Sequence, residues 1–210
     1  MSEAPNVQPL ASDAPKIVAA IGTKSVALYV QIRAQYLQGD VHENRFRHDF
    51  QLFYRLNNAG LTPEFKTRYF DLMDAARADA LDLGAIAMEL FEFRNRKGQQ
   101  SLQFSFVTKL ANIVDPTCPI YDSLVAALFG FRPPLSGIDV GTRLDRLMRF
   151  HDWLRSSYDG IIKSGTMSEV FDLFRHTYSV SAEAVPDTKV VDFVCWTAGR
   201  MRLKLDGWCP

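Results

Sequence analysis

The chain has 210 residues, 47% of them apolar and 12% aromatic, and its 24 basic and 24 acidic side chains cancel to zero net charge. That much apolar material excludes a disordered chain, and the charge balance argues against non-specific coating of nucleic acid, which draws its affinity from excess Lys and Arg. The three cysteines, at 118, 195 and 209, form no CxxC pair and have no His at ligand spacing, so the chain offers neither a disulfide framework nor a metal site and suits a reducing cytoplasm.

The N-terminal stretch MSEAPNVQPLASDAP carries acids and prolines where a signal peptide has basic and then apolar residues. Residues 1–14 read as a loose polar tail ahead of a single domain over 15–206. From Pro15 the pattern is helical, with Ile17, Ile21, Leu28 and Ile32 recurring until Gly39 stops the run. A second helix is predicted from about Glu43 to Asn58, with Phe46, Phe50 and Phe53 on one face and Gly60 as its terminator. Thr62-Pro63-Glu64 is a start signal for a third, since a capping Thr precedes a Pro in the first turn; that helix carries Phe65, Tyr69, Leu72 and Met73. A fourth covers roughly Leu83 to Arg96, with Ile86, Leu90 and Phe93 inward.

Two short helices follow around a turn, and then a Pro-Pro-Leu-Ser-Gly loop at 133–137. A long helix from Ile138 to Lys163 aligns Val140, Leu144, Leu147, Leu154, Tyr158 and Ile161 in one stripe, and another runs from Thr166 or Ser168 to Tyr178. The last begins at Thr188, and its Val190, Val191, Phe193, Val194 and Trp196 make it apolar around most of its circumference, the mark of a helix buried on several sides. There is no period-2 strand of convincing length, no internal repeat and no apolar run approaching the roughly 20 residues of a membrane span. The expectation is an all-α protein of eight or nine helices in one domain, without a membrane segment.

The stretch FSFVTKLANIVDPTCPIYDSLVAALF, residues 104–129, is the most informative. It places Lys109 on one helix and Asp122 at the head of the next, with Asp115-Pro116-Thr117-Cys118-Pro119 turning between them. From Lys109 to Val114 the helix rises about 8 Å, so a chain reversal at the prolines returns Asp122 toward the lysine's first turn. An amine and a carboxylate brought together perform nucleophilic or general-base chemistry that neither manages alone. By spacing alone, two readings stand: a catalytic pair, or a solvated surface lysine and a plain helix N-cap.

The segments Val107-Thr108-Lys109-Leu110-Ala111-Asn112 and Pro119-Ile120-Tyr121-Asp122-Ser123-Leu124-Val125 resemble the active-site segment of the helix-hairpin-helix DNA glycosylases, most closely the 8-oxoguanine glycosylase branch. In that family a lysine follows a small or hydroxyl residue at the start of a helix, and a short helix and loop later an aspartate caps the next helix. Phe104-Ser105-Phe106-Val107 stand where the family is glycine-rich, and Lys109 and Asp122 are 13 residues apart, fewer than is usual there. The resemblance implies a helix-hairpin-helix glycosylase-like fold. It implies a DNA base-excision glycosylase with possible strand-cleaving lyase activity, acting without a cofactor on duplex DNA that carries a damaged base. Lys109 would attack the deoxyribose C1′, Asp122 would stabilise positive charge on the sugar, and Thr108 and Tyr121 would border the DNA. The alternative is a non-catalytic helical module of the same fold that binds nucleic acid or a protein.

The remaining polar residues have structural readings of their own. Arg94, Arg96 and Lys97 end a predicted helix, where cations suit the dipole, and they also precede the hairpin and are positioned to meet phosphate. His151 lies on the apolar stripe of the long helix, which points to a buried, satisfied histidine. The phenylalanines at 46, 50, 53, 65, 70, 91 and 93 read as core before a stacking surface for single strands.

Overall fold

The computed structural model describes residues 5–78, 80–205 and 207–208. Residues 1–4 of the expected tail, Asp206 at the expected domain end and Cys209 lie outside the described residues. In chain order the α-helices are α1 (Gln8–Ser12), α2 (Ala14–Ile21), α3 (Thr23–Gln38), α4 (Asn44–Phe53), α5 (Pro63–Ala75), α6 (Leu83–Phe91), α7 (Phe104–Val114), α8 (Ser123–Leu128), α9 (Val140–Ser164), α10 (Ser168–Tyr178) and α11 (Asp187–Arg200). Among the described residues there is no strand, only an isolated antiparallel bridge between Arg94 and Gln100. No single described helix is long and apolar enough to cross a membrane.

The protein is all-α, with eleven α-helices among the described residues rather than the eight or nine expected. One addition is α1, within the stretch read as a loose tail: Leu10 is fully buried and Val7 nearly so. The other comes from a break in the first long helix at Gly22, whose φ is +86°. There the Tyr178 hydroxyl donates to the Val18 carbonyl and accepts from the Gly22 amide, 3.1 Å away. It thus occupies the rung that would join residues 18 and 22 of a continuous helix, and a side chain inserted into the ladder ends it. Helical spacing alone carries no trace of a tyrosine more than 150 residues away.

Contacts divide the chain into two compact units. The first comprises the chain up to Val26 together with everything from Pro116 onward; the second is Ala27–Asp115. In the first unit α11 is the hub and touches α1, α2, α8, α9 and α10. It buries Val190, Val191, Phe193, Val194, Cys195 and Ala198, and at roughly 1.5–3 kcal/mol for each large apolar side chain it dominates that core. A second layer joins Phe129, Phe131, Phe150, Trp153 and Trp208, with Phe131 and Phe150 stacked at 4.1 Å between centroids. The C-terminal segment closes over it, the Leu205 amide donating to Leu128 at 2.7 Å and the Trp208 amide to Phe129 at 3.2 Å.

The second unit is built on aromatic rings. Phe46, Phe50, Tyr69 and Phe70 are buried and in mutual contact. Helix α4 stops at Phe53, short of the predicted Asn58. Phe46, Phe50 and Tyr54 share one face, and on a continuing helix Leu56 would lie about 200° around from Tyr54. Arg55 instead takes a left-handed φ of 57°, and Leu56 turns inward at the start of a 3-10 segment over Leu56–Ala59. Helix α5 starts where Thr62 and Pro63 predict, with the Thr62 hydroxyl accepting the Phe65 amide at 3.3 Å. It packs against α6 and α7.

Candidate active site

Helix α7 buries Phe104, Phe106, Val107, Thr108, Leu110, Ala111, Asn112 and Ile113, nearly its full circumference. Within its own unit it is tied from two sides. The Tyr69 hydroxyl of α5 donates to the Phe106 carbonyl at 2.8 Å. The Arg33 guanidinium of α3 donates to the Ile113 carbonyl, one of the last-turn acceptors that a helix cannot satisfy itself. Lys109 is the only charged residue of α7 and is half-buried, with its Nζ 4.8 Å from the Phe106 ring centroid. A cation over an aromatic face gains about 0.5–1 kcal/mol where partly exposed. Thr108 is fully buried, and its hydroxyl donates back to the Ser105 carbonyl at 3.2 Å.

Asp122 stands at the N-cap of α8 with extended backbone, and its Oδ1 accepts the Leu124 amide at 2.9 Å. The capping role expected of it is thus observed, and a carboxylate there also faces the positive end of the helix dipole. The approach to it, Cys118–Tyr121, is irregular yet buried. Two side chains from other helices hold its backbone. His151 of α9 donates from Nε2 to the Pro119 carbonyl at 2.9 Å, and the Cys118 Sγ lies 3.6 Å from the same nitrogen. A carbonyl partner requires a proton on Nε2, and burial lowers the pKa of His151 against the opposing pull of that bond. This is the satisfied histidine the stripe suggested. Asp192 of α11 accepts the Ile120 amide through Oδ1 at 3.1 Å. Tyr121 is buried edge-on against Phe131 and Phe150, and burial, aided by the Asp122 charge, pushes its hydroxyl up to about 12.

Sequence reasoning missed Asp192 and its partner Lys189. Both side chains are almost fully buried, Nζ to Oδ2 being 3.6 Å, and the Lys189 ammonium also lies 5.3 Å from the Phe193 ring centroid. Burial pushes Asp192 up to about 6, opposed by Lys189 and by the Ile120 N–H. The Tyr158 hydroxyl of α9 faces this carboxylate and the Cys195 thiol. Burial drives the tyrosine's pKa up, and raises the thiol to about 12. The usable signal was already in the reading of α11: a helix apolar around most of its circumference buries charges too, and these two fall three residues apart, one turn along.

Arg94, Arg96 and Lys97 do not end a helix. Helix α6 stops at Phe91, and all three are exposed on the tight turn that follows. Asn95 organises that turn, its Oδ1 accepting the Lys97 and Gln99 amides at 2.9 and 3.1 Å. The Arg94 guanidinium donates to the Gly98 carbonyl at 2.7 Å, and the Arg96 amide to Gly60 at 2.9 Å. Lys66 of α5 lies close enough for the Arg96 charge to assist burial in lowering its pKa. Among the described residues no carboxylate pairs with these four cations, whereas Arg68, Arg77 and Arg175 in the same molecule each have one.

The residues singled out from sequence thus divide between the units: Thr108, Lys109, Arg94, Arg96 and Lys97 belong to the second, and Tyr121 and Asp122 to the first. No group of three metal-ligating side chains occurs among the described residues. No protein-family pattern, curated protein or solved structure matches this chain.

Proposed function

We propose that this protein is a DNA base-excision glycosylase with lyase activity, in which Lys109 is the amine nucleophile and Asp122 the carboxylate that balances charge on the sugar. The Lys109 lone pair attacks C1′ as the glycosidic bond breaks, and the base leaves with the bonding electrons and takes up a proton. Opening of the sugar ring gives a protonated Schiff base, and loss of a C2′ proton then expels the 3′ phosphate. The damaged base is first turned out of the helical stack. The observation that carries the reading is the Asp122 cap. The carboxylate occupies the helix-capping position that the glycosylase-like motif requires, at the end of a segment pinned through Pro119 and Ile120.

A second reading, a non-catalytic module that binds nucleic acid, draws on Lys66, Arg94, Arg96 and Lys97. They are cations without acidic partners among the described residues, in a chain of zero net charge. Base release from duplexes carrying single oxidised, alkylated or deaminated bases separates the two. Release of one lesion by the wild-type protein supports the enzyme. Binding to the same duplexes without release from any of them supports the module.

A further inference from the structure

Two side chains, one from α9 and one from α11, converge on the short segment that ends in the Asp122 cap, all within the first unit. They engage the carbonyl and the amide of one peptide group. His151 fixes the Pro119 carbonyl at 2.9 Å, and Asp192 fixes the next amide, that of Ile120, at 3.1 Å. Beyond Asp122, Gly199 of α11 lies so close to α8 that a Cβ there would meet the Leu124 carbonyl oxygen at 2.5 Å. Leu124 is also the residue whose amide Asp122 accepts. The backbone is therefore held on both sides of Asp122, and the residue that its carboxylate grips is held directly.

The arrangement is costly in ways that packing alone does not require. An ion pair of α11 is taken almost fully inside, and burying ions is repaid only by good geometry and further hydrogen bonds. The further hydrogen bond here is the one to Ile120. Gly199 forgoes a side chain in the last turn of α11, and glycine is a poorer helix former than alanine. What both concessions secure is the placement of one half-buried carboxylate.

We infer that Asp192, His151 and Gly199 form a positioning frame for the Asp122 carboxylate, and that α11 is the element that sets where this group stands. The inference rests on the glycosylase reading for its chemical consequence, though not for the frame itself. Tight placement matters because a misplacement of about 1 Å can slow a reaction on the order of a hundredfold.

The test compares two double variants that both lack the buried ion pair. In K189M/D192N the asparagine oxygen still accepts the Ile120 amide; in K189M/D192L nothing does. Neither leaves a lone buried charge, so both are suited to folding. Two readouts are taken on the folded proteins: the NMR signals of the Leu124 amide and the Asp122 carboxyl carbon, and the rate of borohydride trapping on duplex DNA with one abasic site. The frame predicts that K189M/D192L shifts both signals and slows trapping about tenfold at saturating DNA, with little change in half-saturation. K189M/D192N stays much nearer the wild type in both. Gly199→Ala, which pushes directly on Leu124, moves the same two signals.

Unchanged signals in K189M/D192L overturn the frame, as does equal behaviour of the two double variants. Shifted signals with unaltered trapping overturn it as a device for catalysis. Shifted signals in a protein whose wild type never traps DNA leave the frame standing and remove the glycosylase reading instead.

Discussion

Helices α7 and α11 are both buried around most of their circumference, yet they dispose of their charges in opposite ways. Helix α7 takes only neutral polar groups inside, Thr108 and Asn112, and leaves Lys109 half-buried over an aromatic ring. Helix α11 takes Lys189 and Asp192 fully inside, where the aspartate spends one oxygen on the backbone of a neighbouring segment. One charge stays at the edge of its helix's core; the other pair lies within it.

The largest expected effect breaks that symmetry directly. Lys189→Met strands the Asp192 charge and should cost about 3–5 kcal/mol of folding stability at pH 8. Lys109→Met, the same change on α7, should stay within about 1 kcal/mol. Urea unfolding midpoints measure both, and equal losses would erase the distinction. Next in size, Gly199→Ala should destabilise by about 1–3 kcal/mol, because the new methyl group meets backbone rather than a movable side chain. Alanine at Gly84 should cost far less, since the nearest atom to its Cβ is an aspartate side-chain oxygen at 3.3 Å.

Much of this was legible in the sequence, and the misses have causes. Thr62-Pro63, the phenylalanine face at 46 and 50, the Asp122 cap and the stripe on α9 are local signals, and the structure carries each of them. The break at Gly22 was not legible, because the tyrosine that opens the ladder lies on α10. The end of α6 was misjudged because Phe93 continues the helical spacing of Ile86 and Leu90, whereas the helix stops at Phe91 and Asn95 organises the turn that follows through its own side chain. At the candidate site, Lys109 and Asp122 were singled out by their placement around prolines together with the glycosylase-like resemblance. Asp192 and Gly199 were not, because their importance lies in what faces them from Ile120 and Leu124.

The pH dependence of stability sharpens the comparison at a smaller scale, since two buried groups work against each other. Asp192 is raised to about 6, so between its ordinary value near 4 and about 6 the folded protein holds a proton that the unfolded chain does not. Its contribution to stability therefore rises as pH falls through that window. His151 is lowered, so below about 6.5 the unfolded chain gains a proton that the folded protein refuses, and its contribution falls over the same range. His151→Gln, which keeps a donor for the Pro119 carbonyl, should remove the second branch and leave stability rising from pH 7 toward pH 5. A profile identical to wild type would show that His151 does not titrate in this way.

The smallest effects belong to the turn after α6. Arg96→Ala and Lys97→Ala should each lower the slope of log affinity against log salt for duplex DNA by about 1, with little sequence preference. Arg68→Ala, whose partner is Glu89, should leave that slope alone.

The central claim is that the Lys109 amine becomes joined to DNA. The direct measurement is borohydride reduction of the wild-type protein on a duplex with one abasic site, followed by mass spectrometry of the digested adduct. The account predicts a covalent product carried on the peptide that contains Lys109, and none from a folded, DNA-binding Lys109→Gln protein. An adduct formed equally well by Lys109→Gln, or mapped to another lysine, would contradict it.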